Sequence, residues 1–269
     1  MPILEEILDH KLKEVADRQS LFPIKLLERS IYFETPTVSL KKYLLRPDRW
    51  GIIAEIKRKS PSRGVINDQV SVERISIGYM QAGASALSVL TDGPFFGGSN
   101  EDLITARNYN LCPILRKDFI IDEYQVLEAK SIGADAILLI AAALEPQKAH
   151  DLAVFAHSLG LEVVLEVHNG QELDSHINPE VDVVGVNNRD LKTFDVNVQT
   201  SKQLAAKIPP DFVKISESGI FEVDTVLGLR ELGYQGFLIG QNFMEHSRPE
   251  KKCREFIAQL RQQTNNATP

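Results

Sequence analysis

The feature that most constrains the fold is a regular alternation of short apolar segments and amphipathic segments, which begins at Gly51. The apolar segments have the length and composition of buried strands, and the amphipathic segments have helical spacing. The predicted strands are Ile52–Lys57, Ala86–Thr91, Pro113–Lys117, Ala136–Ile140, Glu162–Glu166, Val183–Asn187, Val213–Ser216 and Phe237–Ile239. The predicted helices are Val72–Ala82, Asn100–Tyr109, Glu123–Ile132, Gln147–Leu159, Gly170–His176, Val198–Ile208, Glu222–Leu232 and Lys251–Gln262.

Eight strand–helix units in series favour one closed architecture. Right-handed crossovers between parallel strands build a (β/α)8 barrel of about 250 residues, which suits a chain of 269 residues that also carries an N-terminal extension. No Gly-x-Gly-x-x-Gly motif follows an early strand, which argues against an open dinucleotide-binding sheet. The sequence therefore predicts the α/β class, as a single TIM barrel domain over residues 1–269.

About fifty residues precede the first predicted strand. Apolar residues recur at helical spacing from residue 3 to residue 18, a second amphipathic run covers Leu21 to Arg29, and Leu40 to Leu45 suggests a short third helix. An amphipathic helix has to bury its apolar stripe. We therefore expect residues 1–50 to form a helical extension that packs against another part of the protein.

Composition excludes several classes of function. The formal net charge of −7 argues against a nucleic-acid surface, and no apolar run approaches the roughly 20 residues that span a bilayer. Cys112 and Cys253 are far apart, so we expect a reducing compartment and neither a disulfide framework nor a zinc site. The acidic N-terminus does not resemble a signal peptide. We expect a cytoplasmic protein that is a monomer or weak homo-oligomer.

The first strand ends in two charged residues. Alternate side chains of a strand share a face, so Glu55 and Lys57 follow Ile53 on the same side. Buried charges are costly unless they are paired. The pair is either a structural ion pair or part of a catalytic site, and these two residues alone do not decide between the readings.

Polar residues end six of the eight predicted strands. In a barrel these ends meet at one rim, which is where active sites lie, and six convergent ends make a purely structural explanation of each residue much weaker. The residues at this rim include Glu55, Lys57, Lys117, Glu166, Asn187, Arg189 and Glu217.

The loops after the last two strands suggest a phosphate site. Ser218, Gly219, Gly240 and Gln241 precede helix starts, where glycine and free backbone N–H groups allow an anion to approach closely. Barrels often bind phosphate at this position, although ordinary turn glycines would give the same letters. We therefore expect a phosphorylated small molecule as the ligand.

The residue types at the rim indicate proton transfer. Lysine and glutamate can act as acid and base, whereas no acid/histidine cluster has metal-ligand spacing, so we expect neither a metal nor a redox cofactor. Two alternatives stay open: Schiff-base chemistry at Lys57 or Lys117, as in an aldolase, and a barrel that binds a phosphorylated metabolite without catalysis.

Six segments resemble the indole-3-glycerol phosphate synthase family. They are Ala54–Ser62, Leu90–Ser99, Ile114–Phe119, Gly185–Leu191, Ser216–Ile220 and Phe237–Gly240. The combination of Glu-Ile-Lys-x-x-Ser-Pro-Ser with Leu-Arg-Lys-Asp-Phe is specific to that family. The resemblance implies a lyase of tryptophan biosynthesis that converts 1-(2-carboxyphenylamino)-1-deoxyribulose 5-phosphate into indole-3-glycerol phosphate, carbon dioxide and water.

The resemblance also implies roles for individual residues. Lys117 would be the general acid of ring closure, and Lys57, Glu55 and Glu166 would share the later proton transfers. Asn187 and Glu217 would complete the catalytic group, and Lys57, Asn187 and Arg189 could hold the substrate carboxylate. The remaining substrate-binding residues would be Phe96, Phe119 and Leu138 around the aromatic ring and Ser60, Ser218, Gly219, Gly240 and Gln241 around the phosphate. At position 241 many family members carry a small or acidic residue in place of glutamine.

Overall fold

Eight parallel strands form a closed barrel in the computed structural model, which describes residues 3–267 and the side chains of residues 3–264. The strands are β1 Ile52–Ile56, β2 Ala86–Leu90, β3 Ile114–Lys117, β4 Ala136–Ile140, β5 Glu162–Val167, β6 Val183–Asn187, β7 Val213–Glu217 and β8 Gly236–Ile239. Each strand pairs with its neighbours in the chain, and β1 closes the barrel against β8 through the register Ile53↔Leu238. The predicted TIM barrel architecture is therefore confirmed.

Three helices precede β1, and from β1 onward helices alternate with the strands on the outside of the barrel. They are α1 Ile3–Leu21, α2 Ile24–Leu27, α3 Leu40–Leu44, α4 Val72–Ala82, α5 Asn100–Tyr109, α6 Glu123–Ser131, α7 Pro146–Ser158, α8 Gly170–His176, α9 Gln199–Leu204, α10 Val223–Glu231, α11 Gln241–Met244 and α12 Pro249–Ala267. A short hairpin of Lys59–Ser60 with Gly64–Val65 follows β1. The helix predicted over Val198–Ile208 is shorter at both ends, and two prolines follow at 209 and 210.

The expected helical extension of about fifty residues is not supported as a continuous unit. Only α1, α2 and α3 are helical before β1 at Ile52, and turns and irregular backbone fill the rest. The run predicted from Leu21 to Arg29 is reduced to the single turn of α2, because Pro23 lacks the N–H that would continue α1.

The segment before β1 is part of the barrel's packing. Leu40 and Leu44 of α3 are buried in the same cluster as Ile53, Val213 and Ile215, which point into the barrel. Leu44 lies against Gly236, the first residue of β8, so α3 closes the N-terminal end of the barrel. Ile7 of α1 belongs to the same cluster, and α1 reaches the opposite end. The N-terminal segment therefore contributes to both ends of the barrel.

Side-chain alternation divides the core into two layers. In β1, Ile53 points into the barrel, whereas Ile52, Ala54 and Ile56 pack against the helices. Glu55 follows Ile53 on the inner face and is buried. This alternation explains how a strand that is apolar on both faces delivers a carboxylate to the mouth of the barrel. Between residues 3 and 267, no helix is long and apolar enough to cross a membrane.

Candidate active site

A pocket opens at the C-terminal ends of the strands. All fifteen residues that the sequence singled out line it: Glu55, Lys57, Ser60, Phe96, Lys117, Phe119, Leu138, Glu166, Asn187, Arg189, Glu217, Ser218, Gly219, Gly240 and Gln241. The barrel brings them together from all eight of its strands or the loops that follow them. A pocket that gathers charged, aromatic and glycine residues in this way is a candidate active site.

Lys117 lies at the centre of the charged group. Its Nζ is 2.7 Å from Oε2 of Glu166, at the end of β5, and 2.6 Å from Oε2 of Glu217, at the end of β7. Burial lowers the pKa of Lys117, but the carboxylates of Glu166 and Glu217 outweigh it and hold that pKa above its ordinary value. Lys117 is therefore a charged ammonium that can donate a proton.

The two carboxylates around Lys117 are not equivalent. Oε1 of Glu166 accepts a hydrogen bond from Asn187 at 3.1 Å, and although burial raises the pKa of Glu166, the charge of Lys117 lowers it to about 2. Oε1 of Glu217 is buried and has no hydrogen-bond partner among the described residues. Burial raises the pKa of Glu217 to about 7. Because Glu166 has donors for both oxygens and Glu217 for only one, Glu217 is the carboxylate that takes up a proton first as the pH falls.

Glu55 and Lys57 form a second charged pair. Lys57 Nζ is 2.6 Å from Oε1 of Glu55, as their spacing on one face of β1 predicted. Gly240 is close to the same carboxylate, because a Cβ atom at this position would lie 2.3 Å from Oε1 of Glu55. The absence of a side chain at Gly240 therefore makes room for the Glu55 carboxylate.

One side of the pocket is apolar. The rings of Phe96 and Phe119 lie 5.9 Å apart at an interplanar angle of 37°, and Leu138 lines the same pocket. Sequence reasoning missed part of this wall, because Ile3, Leu4 and Ile7 of α1 also line the pocket. Their spacing on α1 shows an apolar stripe, but the stripe does not say which surface it covers.

Arg189 supplies a cation at the other side. It is half-buried, and its guanidinium donates to the carbonyl of Phe194 at 3.1 Å and to the Gln241 side chain at 3.4 Å. No carboxylate within the described part of the chain pairs with it. Burial, together with the charge of Arg63, lowers the pKa of Arg189. The guanidinium is therefore available to an anion that enters the pocket.

The turn after β7 has an unusual backbone. Ser218 and Gly219 have φ values of 66° and 76°, and a serine rarely adopts this left-handed region. Asn188 holds the turn by donating to the carbonyls of Glu217 and Ser218, each at 3.0 Å. The surrounding contacts thus fix a strained turn beside the pocket, which is typical of a functional loop.

His168, two residues after Glu166, adds a further contact to the charged group. Its Nε2 lies 3.4 Å from Oε1 of Glu166, and its Nδ1 lies 3.1 Å from Oε2 of Glu172. Burial lowers the pKa of His168, but Glu172 and Glu166 outweigh it and raise that pKa. The charge that His168 carries when it is protonated lowers the pKa of Glu166. Across the described residues, no three His, Cys, Asp or Glu side chains are arranged to hold a metal ion.

Comparisons with known proteins agree with this geometry. The family model for indole-3-glycerol phosphate synthase matches residues 4–256. Proteins named indole-3-glycerol phosphate synthase are 48% identical over 255 residues in Bacteroides thetaiotaomicron and 42% identical over 256 residues in Acinetobacter baylyi. Each alignment covers 95% of this chain, and they cover 97% and 95% of those proteins respectively.

Solved structures show the same fold at low sequence identity. A mutant tryptophan synthase alpha-subunit from Pyrococcus furiosus superposes with a TM-score of 0.60 at 13% identity. The match covers 80% of this chain and 99% of that one. Because the family match extends over nearly the whole chain and the relatives are more than 40% identical, the chain belongs to the indole-3-glycerol phosphate synthase family, which consists of carboxy-lyases of tryptophan biosynthesis.

Proposed function

We propose that the protein converts 1-(2-carboxyphenylamino)-1-deoxyribulose 5-phosphate into indole-3-glycerol phosphate, carbon dioxide and water. The observation that carries the proposal is the position of Lys117. Its ammonium is held by Glu166 and Glu217 in a pocket that also offers an aromatic wall and the guanidinium of Arg189, which no carboxylate of the described residues contacts. This is the set of groups that an aryl ring, an anion and a carbonyl oxygen need.

Ring closure is the first step that we assign. The ring carbon that bears the carboxylate attacks the ketone carbon, a C–C bond forms, and the electron pair of the carbonyl moves onto its oxygen. Lys117 donates the proton that this oxygen takes up. The neighbouring carboxylates orient the ammonium, and Glu217 can return the proton, because burial raises the pKa of Glu217 to about 7.

Decarboxylation and dehydration follow from the same charges. The bond to the carboxylate breaks, carbon dioxide leaves, and the electron pair restores the benzene ring. The new hydroxyl then leaves as water with a proton from an acid, while a base takes a proton from the ring being formed. We assign these two transfers to Lys57 with Glu55 and to Glu166, whose pKa of about 2 keeps it ionised.

Substrate orientation uses the walls of the pocket. We propose that Phe96, Phe119 and Leu138 enclose the aryl ring, and that Arg189, Asn187 and Lys57 receive its carboxylate. The phosphate would bind at the opposite loops, and the residues proposed to contact it are Ser60, Ser218, Gly219, Gly240 and Gln241. Gln241 donates to Glu245 at 2.6 Å and accepts from Arg189, so its side chain is already engaged and we expect its backbone N–H to serve the phosphate.

Schiff-base chemistry at Lys117 is disfavoured by the charge on its ammonium. An amine must be neutral to attack a carbonyl, and two carboxylates raise the pKa of Lys117. A barrel that only binds a phosphorylated metabolite gains nothing from three buried glutamates beside a lysine, because each costs desolvation.

Product formation tests the proposal. Purified protein is mixed with the carboxyphenylamino-deoxyribulose phosphate, and indole fluorescence and released carbon dioxide are followed together without added metal or nucleotide. We expect both signals to grow with a one-to-one stoichiometry. Binding of the compound without either signal would contradict the proposed reaction.

A further inference from the structure

Lys11 is a buried lysine that the reaction scheme does not use. Its side chain is 1% exposed, although it lies on α1, the first helix of the chain. The Nζ atom is 2.8 Å from Oε2 of Glu14, 3.0 Å from Oδ2 of Asp92 and 2.9 Å from Oδ1 of Asp118. A buried cation with two buried aspartates needs a reason beyond solubility, because burying charges is costly.

The two aspartates hold the backbone of the aromatic wall. Oδ1 of Asp92 accepts hydrogen bonds from the backbone N–H of Phe95 at 2.8 Å and of Phe96 at 3.2 Å. Oδ1 of Asp118 accepts one from the backbone N–H of Phe119 at 2.8 Å. Lys11 therefore joins the loop after β2 to the residue after β3, and each loop carries one ring of the Phe96–Phe119 pair.

Apolar residues on the same face of α1 as Lys11 lie over the aromatic slot, by which we mean the part of the pocket lined by Phe96 and Phe119. Ile7 and Ile3 precede Lys11 by one and two helical turns, so they share its face of the helix. Both line the pocket, as Phe96 and Phe119 do. One cation thus fixes the helix that covers the slot and both loops that form its wall.

We infer that Lys11 is a positioning residue that sets the aromatic slot through Asp92 and Asp118, and so determines how tightly the aryl end of the substrate binds. The inference rests on the proposed function for the identity of that substrate. Lys11 itself does not line the pocket, and its effect on the reaction passes through Phe96 and Phe119.

A purely structural role would give a different result, and α1 offers a matched control. Arg18 lies on the same helix and pairs with Glu128 of α6, which is outside the pocket. Removing either cation loosens α1 from the barrel, but only the loss of Lys11 releases the two loops. Lys11→Met and Arg18→Met therefore separate anchoring of the helix from positioning of the slot.

Steady-state kinetics with the carboxyphenylamino-deoxyribulose phosphate test the inference. We expect Lys11→Met to raise KM about fivefold or more, which is the scale of a lost aromatic contact, and Arg18→Met to leave KM within about twofold. Competitive inhibition by inorganic phosphate, which probes the other end of the pocket, should change by less than about twofold in both variants. An unchanged KM in folded Lys11→Met, or an equal rise in Arg18→Met, would overturn the inference.

Two further measurements keep the test decisive. If Lys11→Met does not fold, Asp92→Asn replaces it in the test. The asparagine keeps an oxygen that accepts from the Phe96 backbone N–H, but it turns an amide N–H toward the Lys11 ammonium. We expect the same rise in KM. If the wild-type protein shows no turnover, the proposed function fails by itself. The slot is then tested by titration with anthranilate, whose fluorescence reports binding: weaker binding to Lys11→Met than to Arg18→Met supports the inference, and equal binding overturns it.

Discussion

The ammonium of Lys117 contacts one oxygen of Glu217 at 2.6 Å, while the other oxygen of Glu217 is buried and has no hydrogen-bond partner among residues 3–264. Glu217 differs in this respect from Glu166, which contacts the same ammonium but also accepts a hydrogen bond from Asn187. Of the two carboxylates around this lysine, Glu217 is therefore the one that takes up a proton near neutral pH, while Glu166 stays ionised. In the mechanism that we propose, Glu217 can therefore return to Lys117 the proton that Lys117 donates.

The stability of the protein should report the proton on Glu217. The pKa of Glu217 is raised from 4.5 in the unfolded chain to about 7 in the folded protein, so the folded state binds this proton more tightly. The resulting stabilisation is complete below pH 4.5 and is lost as the pH rises to about 7. We expect Glu217→Gln to gain stability relative to the wild type by roughly 1–3 kcal/mol between pH 5 and pH 8.

Urea unfolding of both proteins across this range measures the difference. The comparison with the wild type at each pH cancels the titration of groups that the two proteins share. A difference in unfolding free energy that stays constant from pH 5 to pH 8 would show that Glu217 is ionised throughout. Glu217 could then not be the group that returns a proton to Lys117.

Gly240 should be essential for the position of Glu55. A methyl group at this position would lie 2.3 Å from Oε1 of Glu55, so Gly240→Ala has to displace the carboxylate that holds Lys57. We expect kcat/KM to fall at least about tenfold, because misplacing a reacting group by an ångström is costly.

Gly228→Ala is the matched control: a Cβ there meets no atom within 4 Å, and alanine suits the interior of α10. It should gain about 0.5–1 kcal/mol of stability and keep its activity; equal activity in the two alanine variants would contradict the role of Gly240.

Arg189 should determine the affinity for the substrate's anionic groups. Its guanidinium is half-buried beside Gln241 and has no carboxylate partner in the described part of the chain. Loss of a charge-assisted hydrogen bond predicts that Arg189→Met raises KM by about 10- to 100-fold. Arg230→Met is the control, because Arg230 stacks on Trp50, which precedes β1 at the other end of the barrel. If both variants shift KM alike, the effect is not specific to the pocket.

Much of the site was predictable because a barrel converts sequence order into position. Glu55, Lys117, Glu166, Asn187 and Glu217 are each the last or last but one residue of a strand, and parallel strands in a closed barrel carry their ends to one rim. Alternation along β1 also predicted that Glu55 and Lys57 share a face, which their 2.6 Å contact confirms.

The rest depended on contacts that no periodicity encodes. Lys11 interrupts the stripe of Ile3, Ile7 and Val15 at a core position, which is a visible signal, but its partners Asp92 and Asp118 are distant in sequence. The different pKa values of Glu166 and Glu217 reflect the number of donors around each carboxylate, which only the folded chain defines. The apolar pattern predicts one helical run from Leu21 to Arg29, but Pro23 interrupts it, and only the short helix α2 forms after the proline.

The most direct test of the account compares Lys117→Ala with the wild-type protein in two measurements on the same sample. Binding of the carboxyphenylamino-deoxyribulose phosphate should remain detectable, since Phe96, Arg189 and the phosphate loops are unchanged. The rate of indole formation should fall by about 100-fold or more, the scale expected for the loss of a general acid. A variant that binds the compound and forms indole at the wild-type rate would contradict the central role of Lys117.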